Sequence, residues 1–403
     1  MMVKWLKQVG SATCNSTFLK SIQALTSQSS DSSTAFLPLF QHPKRTSLSM
    51  SLAYLNSESS STHPDDIWAL KWTSTNNLVS GCADGHIRVY DASQPSVPVY
   101  NLSTNPLAIA SLSVSGDGRF ALGASLDGMV VMVDVKEGRS VGRVESAREK
   151  VGGGSEIPAY ACALHPSSSA YAYCGRSSKI IVKTISSDSL NGGSNEDDDE
   201  GNEQNGVSVG AGPLGGEGKV VDTGKGKFAM DINFSPDGRQ IALSTENGHI
   251  TVVDAESSSV VATYQSHAMA VRTISWSHDS QWLFSGSDDH RIVLHDIRAG
   301  SKTGSGGKGE GAVAILQGHQ SWVLSVAAGP DGRLLGSAGA DRQVRLWDIA
   351  QRTSVFSTTT AAPVWAFDWQ PENVTSGSLG VGKMFATGGD EKKVMIYRAA
   401  GSV

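Results

Sequence analysis

An all-β fold of seven four-stranded blades set in a ring is what this 403-residue sequence predicts, and three observations predict it. One pattern of roughly 40 to 45 residues recurs along the chain, a length that fits a single blade. Each copy runs apolar strand, turn, apolar strand, Asp turn, apolar strand, and seven copies are present. The strands are short, rich in Val, Ile, Leu and aromatics, and parted by Asp-Gly or Pro-Asp-Gly turns, which is how propeller blades read.

Three copies are clear. "THPDDIWALKWTSTNNLVSGCADGHIRVYD" (Thr62 to Asp91), "SHAMAVRTISWSHDSQWLFSGSDDHRIVLHD" (Ser266 to Asp296) and "LQGHQSWVLSVAAGPDGRLLGSAGADRQVRLWDIA" (Leu316 to Ala350) supply blades 1, 5 and 6. Weaker copies at Asn105 to Asp134, Ile157 to Thr184, Gly226 to Asp254 and Ala362 to Arg398 supply blades 2, 3, 4 and 7. The seventh copy stops after its third strand at Tyr397, so its fourth strand must come from elsewhere. "LSMSLAYL" (Leu48 to Leu55), just ahead of blade 1, is expected to supply it, closing the ring and removing two exposed edges. The ring is thus expected over 48–398.

His319, Ser337, Asp341 and Trp347 in the sixth copy could pass for a catalytic constellation, but the set recurs. Its equivalents are His267, Ser285 and Asp289 with His295 in the Trp place, and His63, Ser80 and Asp84 with Tyr90. Recurrence points to scaffolding, because a buried imidazole needs partners and the Asp, the hydroxyl and the indole N–H satisfy one another in a chain. At these residues the sequence resembles the WD-repeat family, in which four such groups are hydrogen-bonded across a blade. Elsewhere the set degrades: Asn247 and Glu391 occupy the Asp place, Leu243 the Ser place, and the second and third copies have no His. Those blades are expected to be softer.

The rest of the sequence argues against an enzyme. The Gly-rich "AGSKTGSGGKGEGA" (Ala299 to Ala312) lacks the spacing that cradles phosphates, and no GxSxG, HExxH or DFG-type set occurs. Four cysteines lie far apart without a CxxC pair, so neither a metal site nor a disulfide framework is expected, and no cofactor is implied. A net charge of −6, from 33 basic and 39 acidic residues, argues against direct nucleic-acid binding. No apolar run approaches membrane-spanning length.

The two faces of the ring carry different signals. In WD-repeat topology the d–a and b–c loops form one face, here the top, and the a–b and c–d loops the bottom. The inserts Ser186 to Gly218 (c–d, blade 3), Ala299 to Gly311 (c–d, blade 5) and Glu372 to Gly382 (a–b, blade 7) all project from the bottom. They are acidic or Gly- and Ser-rich, and disorder is expected of them. Ala147 to Glu156 is a modest top-face exception.

On the top face, the first strands begin with Asp66, Ala108, Pro158, Phe228, Ala270, Trp322 and Pro363, followed two residues on by Trp68, Ala110, Tyr160, Met230, Arg272, Leu324 and Trp365. Large aromatics at these levels would converge on one apolar patch around the channel mouth, a partner surface, although Trp68 and Trp365 buried between blades would leave the same signal. Glu246, Asp288 and Asp390 in the neighbouring b–c turns are expected to pair with an incoming Arg.

"GKFAMDINFSPDGRQIALS", the clear copies of blades 5 and 6, "GGDEKKVMIY" and "HPDDIWALKW" resemble the WD-repeat subunits of the Superkiller complex over about Ser49 to Tyr397. The resemblance implies a non-catalytic propeller that holds together a cytoplasmic assembly, with a helical-repeat scaffold subunit and an RNA helicase that feeds mRNA to the exosome for 3′-to-5′ decay. It also implies, for relatives, meiotic recombination partners bound through a Gln-Arg-containing peptide, and nuclear use. An adaptor of a chromatin, transcription-elongation or ubiquitin-ligase complex is the alternative. Met1 to Thr46, with five basic residues and one acid, superficially resembles a transit peptide; an unstructured extension over 1–47, or a start at Met50, is the expected reading.

Overall fold

A computed structural model describes residues 53–146, 158–186, 213–216, 218–224, 226–298, 311–371 and 384–400. All of them belong to the compact unit Ser49–Val403. The basic N-terminal stretch, the Ala147 to Glu156 loop, the acidic run Glu196 to Glu200 and most of the three inserts lie outside the described residues.

The described residues form 28 strands in seven antiparallel four-stranded sheets. Strands are named a to d from the channel outwards. The seven inner a strands are Ile67–Trp72, Ile109–Val114, Ala159–Leu164, Ala229–Phe234, Val271–Trp276, Val323–Ala328 and Val364–Trp369. Seven apolar clusters lie between adjacent blades, one per interface. The packing there is close enough to dictate glycine: a Cβ at Gly336 in blade 6 would stand 2.1 Å from the Phe367 ring of blade 7.

Turn chemistry follows the same economy. Gly85 closes the Asp-Gly turn of blade 1 at φ +82°, where a Cβ would also lie 2.0 Å from the Asn105 carbonyl, so both conformation and space require glycine.

The ring closes with a strand from the N-terminal side, but a few residues later than the sequence implied. It is Tyr54–Ser59, antiparallel to Met395–Ala399, with Tyr54 opposite Ala399 and Ser59 opposite Met395. Side-chain packing pins the pairing. Tyr54 is buried with its ring 5.2 Å from Phe385 and 5.4 Å from Phe356, whereas Leu55 is 63% exposed. The aromatic side chain therefore fixes the register.

The last part of the blade 3 insert before its fourth strand is ordered, against the expectation for it. Pro213–Gly216 are described, Leu214 is fully buried in the core between blades 2 and 3, and its carbonyl accepts a 2.7 Å hydrogen bond from the Tyr171 hydroxyl. Leu214 stands among Gly and Pro as the one large apolar side chain of "GPLGG", and burial claims it.

Each a strand has no strand partner on its channel side, and side chains from the neighbouring blade take that role. Ser111 and Ser113 of blade 2 accept from the N–H groups of Cys162 and Leu164 in blade 3. Thr273 and Ser275 of blade 5 accept from Val326 and Ala328, and Ser325 of blade 6 accepts from Phe367. Asp231 of blade 4 accepts from Ile274 at 2.8 Å, and Asp368 of blade 7 from Trp72 at 2.8 Å. Blades 1 and 3 have Ala69, Ala161 and Ala163 at the equivalent places and contribute no such bond among the described residues.

Because Tyr54 anchors the closing strand in the aromatic cluster between blades 6 and 7, Tyr54→Ala is expected to destabilise the ring by about 3–5 kcal/mol. Urea unfolding measures it; a loss below about 1 kcal/mol would remove Tyr54 from the closure.

Candidate functional site

The top mouth of the channel is built by a backbone irregularity repeated seven times. In every blade the a–b register shifts between the first and third residues of strand a. The residue skipped is Trp68, Ala110, Tyr160, Met230, Arg272, Leu324 or Trp365. A bulged residue leaves the ladder and its side chain is re-aimed. These bulges place the aromatic positions read from the sequence at the start of the inner strands.

The large side chains meet in three groups. Trp68 and Trp365 lie 6.1 Å apart across blades 1 and 7, and Tyr160 meets Phe228 edge-on at 5.0 Å across blades 3 and 4. The Arg272 guanidinium lies 4.9 Å above the Trp322 ring across blades 5 and 6. Trp68, Tyr160, Phe228, Met230, Arg272, Trp322 and Trp365 are all half-buried. Leu324, the bulge residue of blade 6, is buried at 7% exposure and offers this surface little area.

The acidic residues of the b–c turns, read from the sequence as receptors for an incoming Arg, each have a partner within the chain. Asp288 is buried and forms a two-pronged ion pair with Arg272, at 2.5 and 2.9 Å. Asp390 accepts the Trp365 indole N–H at 2.6 Å, and Glu246 accepts the Phe228 backbone N–H at 3.3 Å. A bulge residue and the b–c turn of the same blade are close neighbours, so the donors nearest these acids are internal. The effect is to hold Arg272 and Trp365 in place.

Within the blades, two networks have all four members. His319 Nδ1 is 2.9 Å from Asp341, His319 Nε2 is 2.8 Å from the Ser337 hydroxyl, and Trp347 donates its indole N–H to Ser337 at 2.8 Å. In blade 5, His267 sits 2.9 Å from Asp289 and 2.8 Å from Ser285, which in turn is 3.1 Å from His295. Burial alone would raise the Asp341 carboxyl. The hydrogen bond and charge of His319, with the N–H groups of Gln320 and Gln343, outweigh it and hold the group below the usual carboxylate range. These groups are spent on one another inside the blades.

Blade 1 departs from this pattern. Tyr90 reaches His63 Nε2 directly at 2.7 Å, and Asp84 pairs with Arg88 at 2.6 and 3.2 Å instead of with the imidazole. The Ser80 hydroxyl is left buried without a partner. A phenol hydroxyl extends further than an indole N–H, so replacing Trp by Tyr bypasses the serine. Burial first, and the Arg88 charge second, push His63 down to about 4.

The degraded blades show what loss of the set leaves behind. In blade 2, Asn105 stands in the His place, buried, with neither amide atom bonded. In blade 7, Thr360 takes the His place; Glu391 keeps one contact of the usual Asp, accepting the Ala361 N–H at 2.7 Å, and a cavity of about 10 Å³ lies between Thr360, Thr387 and Glu391. That is room for about one water.

Three channel residues escaped the sequence reading. Asp231, Asp368 and Lys71 occupy inner-strand positions facing the channel, and Lys71 is the cation that acts on both acids. The available signal was alternation: Ser111 and Ser113, Asp231 and Asn233, Thr273 and Ser275 set polar residues two apart in otherwise apolar strands. Among the described residues, no group of three His, Cys, Asp or Glu could hold a metal ion, and no helix is long and apolar enough to cross a membrane.

Two expectations follow. Ser337→Ala breaks two bonds of a complete network and is expected to cost about 1–3 kcal/mol, whereas Ser80→Ala removes an unpaired hydroxyl and is expected to cost nothing or to stabilise. Equal losses in thermal melts of both variants would refute the rewiring of blade 1. The second concerns pH. Burial pushes Asp231 up to about 6, against the N–H groups of Ile274 and Ile232 and the Lys71 charge. Its folded value lies above its unfolded value of about 4, so its contribution to stability is present below about pH 4 and lost as pH rises through about 6. Asp231→Asn is therefore expected to gain stability relative to the parent between about pH 4 and 6 and to hold that gain above. His63 acts with the opposite sign, losing stability as pH falls from about 6.5 towards 4, so the paired difference between variant and parent is the quantity to measure.

Comparison with known proteins adds a likeness to WD-repeat proteins. The model of the WD domain, G-beta repeat, matches residues 57–91, 258–296 and 311–348, which cover blades 1, 5 and 6. The chain is 28% identical over 182 residues to WD repeat-containing protein slp1 of Schizosaccharomyces pombe, covering 45% of this chain and 34% of slp1. It is 25% identical over 247 residues to WD repeat-containing protein SL1-17 of Schistosoma mansoni, covering 59% and 69%, and 28% identical over 179 residues to the ribosome biogenesis protein YTM1 of Meyerozyma guilliermondii, covering 44% and 36%. The match thus spans about a third of the length of slp1 and YTM1. No enzyme family is indicated by these matches. Three repeats that match the WD domain, four further blades of the same strand order and a borrowed closing strand make this chain a seven-bladed β-propeller carrying WD repeats in blades 1, 5 and 6.

Proposed function

We propose that this protein is a non-catalytic scaffold that holds partner chains on the top face of its propeller, as the WD-repeat subunit of a Superkiller-type complex assisting exosome-mediated 3′-to-5′ mRNA decay. The observation that carries the scaffold reading is the ring of half-buried aromatic groups at the top mouth: Trp68 with Trp365, Tyr160 with Phe228, and Trp322 under Arg272. Trp, Tyr and Arg dominate binding hot spots because they bring large area with few freely rotating bonds. Two of the three groups are held by the acids beside them, Arg272 by Asp288 and Trp365 by Asp390, so their geometry exists before a partner arrives and ordering costs are low.

The finer assignment rests on the motifs in blades 1 and 4 to 7 that resemble the Superkiller subunit. On this reading the partners are a helical-repeat scaffold subunit and an RNA helicase, with a Gln-Arg-containing peptide of a meiotic recombination protein as a further ligand, and the protein works in the cytoplasm with additional use in the nucleus. Affinity purification tests it: recovery of a large helical-repeat protein and a helicase is expected, and recovery of ligase or histone-modifying subunits instead would replace this assembly by another.

Trp322→Ala tests the face. Arg272 keeps its ion pair with Asp288 in this variant, so the melting temperature is expected to move little while affinity for the captured partner falls by about 2 kcal/mol or more, around thirtyfold. A large fall in melting temperature with unchanged affinity per folded molecule would return Trp322 to the core.

A further inference from the structure

The opposite end of the channel has chemistry of its own. A cavity of about 190 Å³ opens at the bottom mouth, walled by Trp72, Trp276 and Trp369 and by Pro236, Pro330 and Pro371. Its size decides what it admits: small-molecule sites run from roughly 300 to 1,000 Å³, so this one suits a single side chain.

The walls have almost no hydrogen to donate. Prolines carry no N–H. The three indole N–H groups are already given, Trp72 to Asn76, Trp276 to the Asn233 carbonyl and Trp369 to the Ala327 carbonyl, at 3.2, 3.2 and 3.0 Å. The Gln370 amide donates to Asn76, and the Trp72 backbone N–H to Asp368. Among the described lining side chains, the second amide hydrogen of Gln370 and His278 at the exposed rim remain. An anion would find few donors to hold it.

Acceptor capacity is present. Asp368 lines the cavity, and a carboxylate has about four lone-pair sites, of which the N–H groups of Trp72 and Trp369 take two. Its countercharge in the channel is Lys71, which makes no ion pair with it within 4.0 Å among the described residues. The inner strands carry the acids Asp231 and Asp368 and the cations Lys71 and Arg272, and because Arg272 is neutralised by Asp288 of the b–c turn, two acids face one unpaired Lys, a balance that favours a cation.

We propose that the bottom mouth is a second recognition site, taking one lysine or arginine side chain that projects from a partner protein, with its methylene stem against the Trp and Pro walls and its charge at Asp368. Amphipathic cations bury their stems on apolar surface in this way.

The test uses the full chain at pH 8 and follows the indole N–H resonances of Trp72, Trp276 and Trp369 by NMR. The probes are the capped tripeptides Gly-Lys-Gly, Gly-Arg-Gly and Gly-norleucine-Gly, and n-butylammonium. The Lys and Arg peptides are expected to shift these resonances saturably and the norleucine peptide not to. Asp368→Asn keeps an acceptor for the Trp72 N–H and is expected to weaken binding at least tenfold; Lys71→Met, which removes the competing cation, is expected to strengthen it severalfold and decides the matter if Asp368→Asn does not fold. Equal binding of the norleucine peptide, or no response to either substitution, overturns the site. Tighter binding of n-butylammonium than of either basic peptide assigns the mouth to a free amine and overturns the partner.

Discussion

Backbone N–H and C=O groups on the channel side of each inner strand have no neighbouring strand, and a ring of seven sheets creates seven such edges. Leaving them buried and unpaired would cost more than most single contacts return. The inner strands answer by reaching across: Ser111, Ser113, Thr273, Ser275, Ser325, Asp231 and Asp368 each accept an N–H from the next blade. Five of the seven interfaces between blades are therefore apolar in their depth and hydrogen-bonded at the channel among the described residues. Blades held at both levels cannot slide past one another without breaking directional bonds, and this fixed geometry is what allows side chains from different blades to form one surface.

The bulge in each inner strand depends on that geometry. It frees one residue per blade from the ladder at the height where the channel opens, and ring closure brings the seven freed positions around one mouth. Two of the three aromatic or cation–π pairs found there join neighbours in the ring by consecutive blades, while Trp68 and Trp365 come from the first and last blades and meet only because Tyr54–Ser59 pairs with Met395–Ala399. Closure thus contributes to the candidate site as well as to stability.

Repeats made the architecture legible. Strand count, blade order and the need for a borrowed strand follow from the period and from the missing fourth strand after Tyr397; the position of that strand did not, because the alternation of Leu48, Met50, Leu52 and Tyr54 with small residues reads as a strand, whereas the polar run from Asn56 to Ser59, in the strand that pairs with Met395–Ala399, carries no such signal. The networks of blades 5 and 6 were legible by spacing. Blade 1 carries the same spacing and a different bond pattern, since one change from Trp to Tyr lets the side chain meet His63 directly and frees Asp84 for Arg88. Blade 6 has Arg345 at the place of Arg88, yet there the guanidinium lies 6.0 Å from the Trp347 ring and Asp341 stays with His319. Spacing gives the participants of such a network; the length of each side chain decides who bonds whom. Asp288 and Asp390 illustrate the same limit, because their acidity was visible and their internal partners were not.

The two mouths of the channel end up chemically opposite for a common reason, which is that hydrogen bonds near them are satisfied internally. At the top, Arg272 is neutralised by Asp288 and Trp365 is tethered to Asp390, so the surface left to a partner is mainly the faces of aromatic rings. Recognition there rests on area and shape, with charge serving to hold the rings. At the bottom, indole and amide donors are turned into the protein and the wall prolines have none, so what is left is an apolar enclosure with one carboxylate. On the two proposals made above, a ligand matched to one mouth gains little at the other, so two different chains would bind such a ring without competing for one place.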